Sequence, residues 1–151
     1  MEVSIILLGI LIDRITKMWA AQSLAQGFQV VIIKDIFSFL YLENRGAAFG
    51  ILQNKLYFLA AITIIVVTGM IYYMGKQRLK SIVVRVSLSL IISGALGNLI
   101  DRLIYGYVVD FISVHFKNIY YFPIFNVADV FVVVGTMLLL FYLLKEEKYG
   151  N

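Results

Sequence analysis

Four apolar stretches, residues 3–22, 56–74, 82–100 and 127–144, approach the length that crosses a bilayer, about 20 residues at about 1.5 Å each. The second carries no charge. The third has only Arg85, near its start, where a long side chain can snorkel. The fourth has only Asp129, again near its start. The first is apolar through Ile12 and then meets Asp13, Arg14 and Lys17. A secretory signal peptide is the rival reading of that first stretch, with Ser23-Leu24-Ala25 as its cleavage site. No Lys or Arg precedes the run, and charges interrupt it afterwards. A retained helix is the expectation.

Basic residues in short loops set the orientation of such a chain. Lys76, Arg78, Lys80 and Arg85 cluster between the second and third stretches, and Lys145 and Lys148 follow the fourth. Both termini are therefore expected on the cytoplasmic side. Two segments, 27–55 and 103–125, then face outward. In the first, the runs 28–33 and 37–42 are β-branched and aromatic and are separated by Lys34-Asp35, which reads as a strand pair. In the second, 105–114 has a similar strand-like composition. Segments this apolar should lie on the membrane surface, with Tyr120, Tyr121 and Phe122 in an interfacial aromatic belt. With no internal repeat, one membrane domain over 1–151 suffices.

Composition narrows the class further. At 62% hydrophobic and 15% charged, the chain holds more apolar surface than a soluble core of this length could hide. Cysteine is absent, which removes disulfides, thiolate catalysis and Cys-ligated metal sites. A single histidine, His115, removes HExxH and multi-His metal chemistry. The net charge of +4 arises mostly beside the apolar stretches. It points to a membrane surface and not to nucleic acid.

With so few polar residues, their placement carries information. Asp13, Arg14 and Lys17 end the first stretch, Asn98, Asp101 and Arg102 end the third, and Asn126 and Asp129 open the fourth. All three groups are expected near the outer membrane face, where Asn44, Arg45 and Asp110 can join them. Ionisable groups at membrane depth are expensive and mark function by default. Structural roles compete for each group singly. Asn126 could be an N-cap with Asp129 at the positive end of a helix. Asp13 and Lys17, four apart, could form a helical ion pair, and Asp101-Arg102 a neutralised pair. Such roles explain the convergence poorly.

Asp110 is the hardest to place structurally, being a lone carboxylate in the apolar run VVDFI. It could still be an exposed residue on the wet face of a strand. If it instead meets Asp129, like charge and low dielectric would keep one of the two protonated. One carboxylate could then take a proton from water while the other donates to a substrate oxygen. Other chemistries fare worse: no serine sits in G-x-S-x-G, and no phosphate-binding G-x-x-x-x-G-K-[ST] loop occurs. Gly94 and Gly97 read as close helix packing.

In order, the blocks DRITK at 13–17, ENRGAAFG at 43–50, SGALGNLIDR at 93–102, VVDFI at 108–112 and FNVAD at 125–129 resemble the prolipoprotein signal peptidases, or signal peptidase II. These are bacterial aspartyl proteases of the plasma membrane. The resemblance implies four transmembrane helices, an extracytoplasmic β-sheet cradle and a short outer loop or helix over the site. It implies removal of signal peptides from diacylglyceryl-modified prolipoproteins, cut just before the lipidated cysteine. Asp110 and Asp129 carry over as the catalytic pair. Asn44, Gly46, Asn98, Arg102 and Asn126 carry over as residues that bind substrate or order the site, and Asp13, Lys17 and Asp101 as its supporting polar shell. No metal or organic cofactor is implied, and a monomer in contact with membrane lipid is expected. Ser93 departs from the pattern, since the family is expected to favour Gly there. A small ion or solute carrier using Asp110, Asp129 and Arg102 is the competing class, and a structural membrane scaffold the third.

Overall fold

Long apolar runs form helices here because a chain in lipid must satisfy its backbone polar groups internally. The computed structural model describes residues 1–46, 52–77, 79–117 and 119–149. Four helices, α1 (Glu2–Leu24), α2 (Leu56–Lys76), α3 (Ile82–Tyr105) and α4 (Val127–Tyr149), are joined by strands β1 (Val30–Ile33), β2 (Phe37–Asn44), β3 (Val108–Phe116) and β4 (Tyr120–Tyr121). The helices match the four apolar stretches and overrun each of them. Helices α2, α3 and α4 are long and apolar enough to cross a membrane. Helix α1 carries more charge, but its charges point inward. Asp13 and Lys17 are buried while Leu7, Leu8, Leu11, Ile12 and Ile15 are exposed. Residues 47–51 of the outer segment and Arg78 of the basic cluster lie outside the described residues.

Helix α3 packs against the other three helices, and small residues allow the approach. A Cβ at Gly94 would lie 2.2 Å from the Ala128 carbonyl oxygen, and one at Gly97 2.5 Å from Asp13 Oδ2. Both glycines therefore serve packing, as their spacing suggests. The departure at Ser93 is accommodated from the other side. Gly9 of α1 faces it, and a Cβ there would lie 2.5 Å from Ser93 Oγ. Helix α3 ends at Gly106, whose left-handed backbone (φ 79°) closes the last turn on the Arg102 carbonyl.

That cap corrects the strand expected at 105–114. Tyr105 completes the helix, and β3 begins only at Val108. The four strands form one antiparallel sheet in the order β1-β2-β3-β4. Side chains alternate along β3, so Val109 and Phe111 pack on Ala20 and Leu24 of α1 while Asp110 projects to the opposite face. All four residues of β1 are exposed, though apolar.

One irregularity in the sheet decides what Asp110 meets. Phe39 pairs with Ile112, but Leu42 pairs with Asp110, so β2 advances three residues against two on β3. This extra residue is a β-bulge. Beyond it, Leu42 and Asn44 share a face with Asp110. An unbulged β2 would put Asn44 on the other face, because a one-residue slip inverts every side chain.

Candidate active site

The start of α4 is built by its own sequence. Asn126 Oδ1 accepts from the Asp129 amide at 3.0 Å, and Asp129 Oδ2 accepts from the Asn126 amide at 3.1 Å. This reciprocal box satisfies two helix-end donors. The capping role weighed for the pair is real, and it leaves Asp129 Oδ1 and the side-chain Nδ2 of Asn126 free for other partners. Asn126 Nδ2 donates to Asp110 Oδ1 at 2.6 Å and to Asn98 Oδ1 at 3.2 Å. Asn98 Nδ2 donates to Asp129 Oδ1 at 2.8 Å. Backbone pairing between Ile112 and Phe125 staples β3 to the chain entering α4. Asp110 and Asp129 thus come from separate elements and share Asn126.

From the sheet side, Asn44 Nδ2 donates to Asp110 Oδ2 at 2.8 Å, and Asn44 Oδ1 accepts from the Gly46 amide at 2.9 Å. The Gly46 carbonyl accepts from Arg102 at 3.2 Å. Gly46 is therefore held at both ends, by a residue touching Asp110 and by a cation from α3. Asp110 is buried, whereas Asp129, Asn44, Asn98 and Arg102 are each partly open. The exposed-strand reading of Asp110 is ruled out by its 1% exposure. Burial, and then the charge of Asp129, push its carboxyl up to about 7, against the opposing pull of the Asn44 and Asn126 donors.

Beneath these residues lies a charged layer. Lys17 Nζ sits 2.8 Å from Asp13 Oδ2, 3.0 Å from Asp101 Oδ2 and 2.9 Å from Asn98 Oδ1. Asp101 also pairs with Arg14, which donates to the Tyr105 hydroxyl at 2.6 Å. The within-helix pair weighed for Asp13 and Lys17 is thus one edge of a larger cluster. Asp101 meets Arg14 and Lys17, and its pairing with the adjacent Arg102 is not formed. The sequence places Arg14 in the polar group that ends the first stretch, but the resemblance does not carry it over as a site residue. Its place beside Asp13 in DRITK was the available signal. Removing one member of such a buried group strands its partner at a cost of about 3–5 kcal/mol.

The ten residues that the resemblance carries over fall in this one assembly, whereas Arg45, also expected to join the polar groups, is exposed and pairs with Glu43. Two carboxylates with amide donors around them, open on one side, suit general acid–base activation of water. Comparison with known proteins agrees on the family. A family model described as signal peptidase (SPase) II matches residues 5–145. The chain is 56% identical over 148 residues to a lipoprotein signal peptidase of Clostridium novyi (strain NT), covering 98% of this chain and 100% of that protein. It is 54% identical over 151 residues to one of Clostridium tetani (strain Massachusetts / E88), covering 100% and 97%. A bacterial membrane enzyme solved by the in meso method at 2.3 Å superposes with a TM-score of 0.91 at 34% identity, over 99% of this chain and 91% of that one.

Proposed function

The chain belongs to the signal peptidase II family, and from that premise we propose that it removes signal peptides from prolipoproteins by an aspartyl mechanism. The dyad is Asp110 and Asp129. The observation that carries this reading is Asn126, which donates to one carboxylate through its side chain and to the other through its backbone. The two carboxyls hold one proton between them. The protonated one donates to the scissile carbonyl oxygen, and its ionised partner takes a proton from the attacking water. Asn98, and Arg102 at the rim beside Gly46, are donors for the substrate backbone. Asp13, Lys17 and Asp101 form the polar shell beneath.

In this reading the substrate carries a diacylglyceryl-modified cysteine and is cut just before it. Its signal helix and acyl chains stay in lipid. Each CH₂ newly taken from water contributes about 0.8 kcal/mol, so lipid already in the bilayer selects mainly by shape. Helix α1 is the fourth span, since its outward residues are apolar and its charges face α3 and α4. Both termini are cytoplasmic and the site lies near the outer face, with apolar β1 resting on the membrane. One copy supplies every side chain of the site, which suits a monomer. No cofactor takes part.

The test is cleavage, in detergent, of a diacylglyceryl-modified precursor and its unlipidated twin. Only the lipidated precursor should be cut. In folded Asp110→Asn and Asp129→Asn enzymes the rate should fall by about 10²–10⁴-fold or more. Near wild-type rates in both variants would overturn the dyad. An intact lipidated precursor with the wild-type enzyme would overturn the peptidase reading and favour the carrier.

A further inference from the structure

Resting on the dyad reading, we propose that Asp13 and Asp101 are positioning residues that set the separation of the two catalytic carboxylates. Each grips the backbone amide directly preceding one of them. Asp13 Oδ1 accepts from the Ala128 amide at 3.0 Å, one residue before Asp129. Asp101 Oδ2 accepts from the Val109 amide at 3.2 Å, one residue before Asp110. The grips come from different helices, α1 and α3, and reach different elements, α4 and β3. Lys17 ties them together, standing 2.8 Å from Asp13 and 3.0 Å from Asp101.

The symmetry of this arrangement matters for its consequence. A hydrogen bond to the amide of the preceding residue pins the backbone one peptide unit ahead of the carboxylate's own, so each clamp limits where a carboxylate can sit. The shared cation fixes the distance between the clamps. Lys17 also donates to Asn98 Oδ1, which turns the Asn98 amide nitrogen toward Asp129. The two acceptors, their cation and both amides are buried: Asp13 and Asp101 are 0% exposed, Lys17 2%, Val109 4% and Ala128 0%. Water does not compete for these bonds. An acidic pair with a lysine would suffice to neutralise α1 and α3. It would not need to reach two amides on two further elements, each immediately before a dyad member.

Of the charged groups around the dyad, Lys17 from α1 and Arg102 from α3 act on it, Asp13 and Asp101 face Lys17, and β2 supplies the neutral Asn44. A change in dyad spacing therefore reads out in the pH profile. Closely held carboxylates repel and keep their shared proton; carboxylates that drift apart release it sooner.

The experiment compares Asp13→Asn with Asp13→Ala, and Asp101→Asn with Asp101→Ala, in the full chain. It measures kcat and KM for the lipidated precursor from pH 5 to 9, per folded enzyme. Asn retains an acceptor for the amide and Ala does not. The expected result is that each Ala variant has a kcat about 10²-fold below its Asn counterpart, the cost of misplacement near 1 Å. KM stays within about two-fold and the alkaline limb moves to lower pH. Gly135→Ala, whose Cβ would meet the Ser87 carbonyl oxygen at 2.7 Å, is the control for a packing defect alone. It should lose stability and keep its pH profile.

Equal impairment of Asn and Ala variants, or an unmoved profile in the Ala variants, overturns the clamps. If the Ala variants do not fold, amide hydrogen exchange in the Asn variants decides. Protection at Ala128 and Val109 should follow kcat, and lost protection with unchanged kcat overturns the proposal. Failure of the dyad itself is seen separately, as activity in Asp110→Asn.

Discussion

Asn126 shows how much a single side chain does in this site. Its carbonyl caps α4, its nitrogen reaches Asp110 and Asn98, and its backbone amide bonds Asp129. In the proposed dyad such donors balance the shared proton, and the balance can be shifted. Asp110 is pushed up to about 7 by burial and by Asp129, so cleavage should fall as pH rises past about 7 and the shared proton leaves. Asn44 opposes that push by donating to the ionised form. Asn44→Ala should therefore move the alkaline limb of kcat/KM to higher pH while lowering the maximum rate. A limb that stays in place or moves down would sink this assignment. Which aspartates gather at one place was legible from five ordered motifs. What Asp13 and Asp101 do was not, because the amides they accept from are 115 and 8 residues away along the chain. A motif records residue types and cannot record which backbone group a carboxylate meets.

Among the elements, the helices were legible and their ends less so. Hydropathy finds the lipid-crossing interior of a helix, but α3 and α4 continue past it into their polar turns. The strand expected from residue 105 begins three residues later, because the aromatic pair Tyr105 and Tyr107 looks strand-like on both sides of a helix cap. The bulge in β2 had no visible signal, though it decides that Asn44 and not Glu43 faces Asp110. Helix contacts were readable from SGALGN, and they reach the chemistry directly. Gly94 lies against the carbonyl of Ala128, the residue before Asp129. Gly94→Ala should destabilise the protein by about 1–3 kcal/mol through overpacking and lower kcat as well, by pushing the start of α4. Thermal unfolding and cleavage of one preparation would check both. Full stability in the variant would mean that α4 moves freely at this contact.

At the scale of the whole molecule, the helices turn apolar residues outward while Asp13, Lys17 and Asp101 are buried between them, the reverse of a water-soluble core. The proposed orientation rests on the basic cluster in the loop between α2 and α3, and the absence of native cysteine makes it directly measurable. Lys34→Cys and Lys80→Cys place single thiols on exposed positions in the β1–β2 turn and the α2–α3 loop. A membrane-impermeant maleimide applied to intact cells should label position 34 and spare position 80 until the membrane is opened. The opposite pattern would invert the topology. The inward charges also bear on how the chain is made. Helix α1 emerges before α3, with only Asp13 close to Arg14 and Lys17, and Asp101, which accepts from Arg14, is 87 residues further on. Each bare charge costs up to about 2.5–3.5 kcal/mol on insertion scales, the upper end applying at the centre of a bilayer. During synthesis α1 is therefore a poor anchor until α3 arrives. A nascent chain arrested before α3 would leave its first helix free to slip from the bilayer, and completion of α3 would lock it in place.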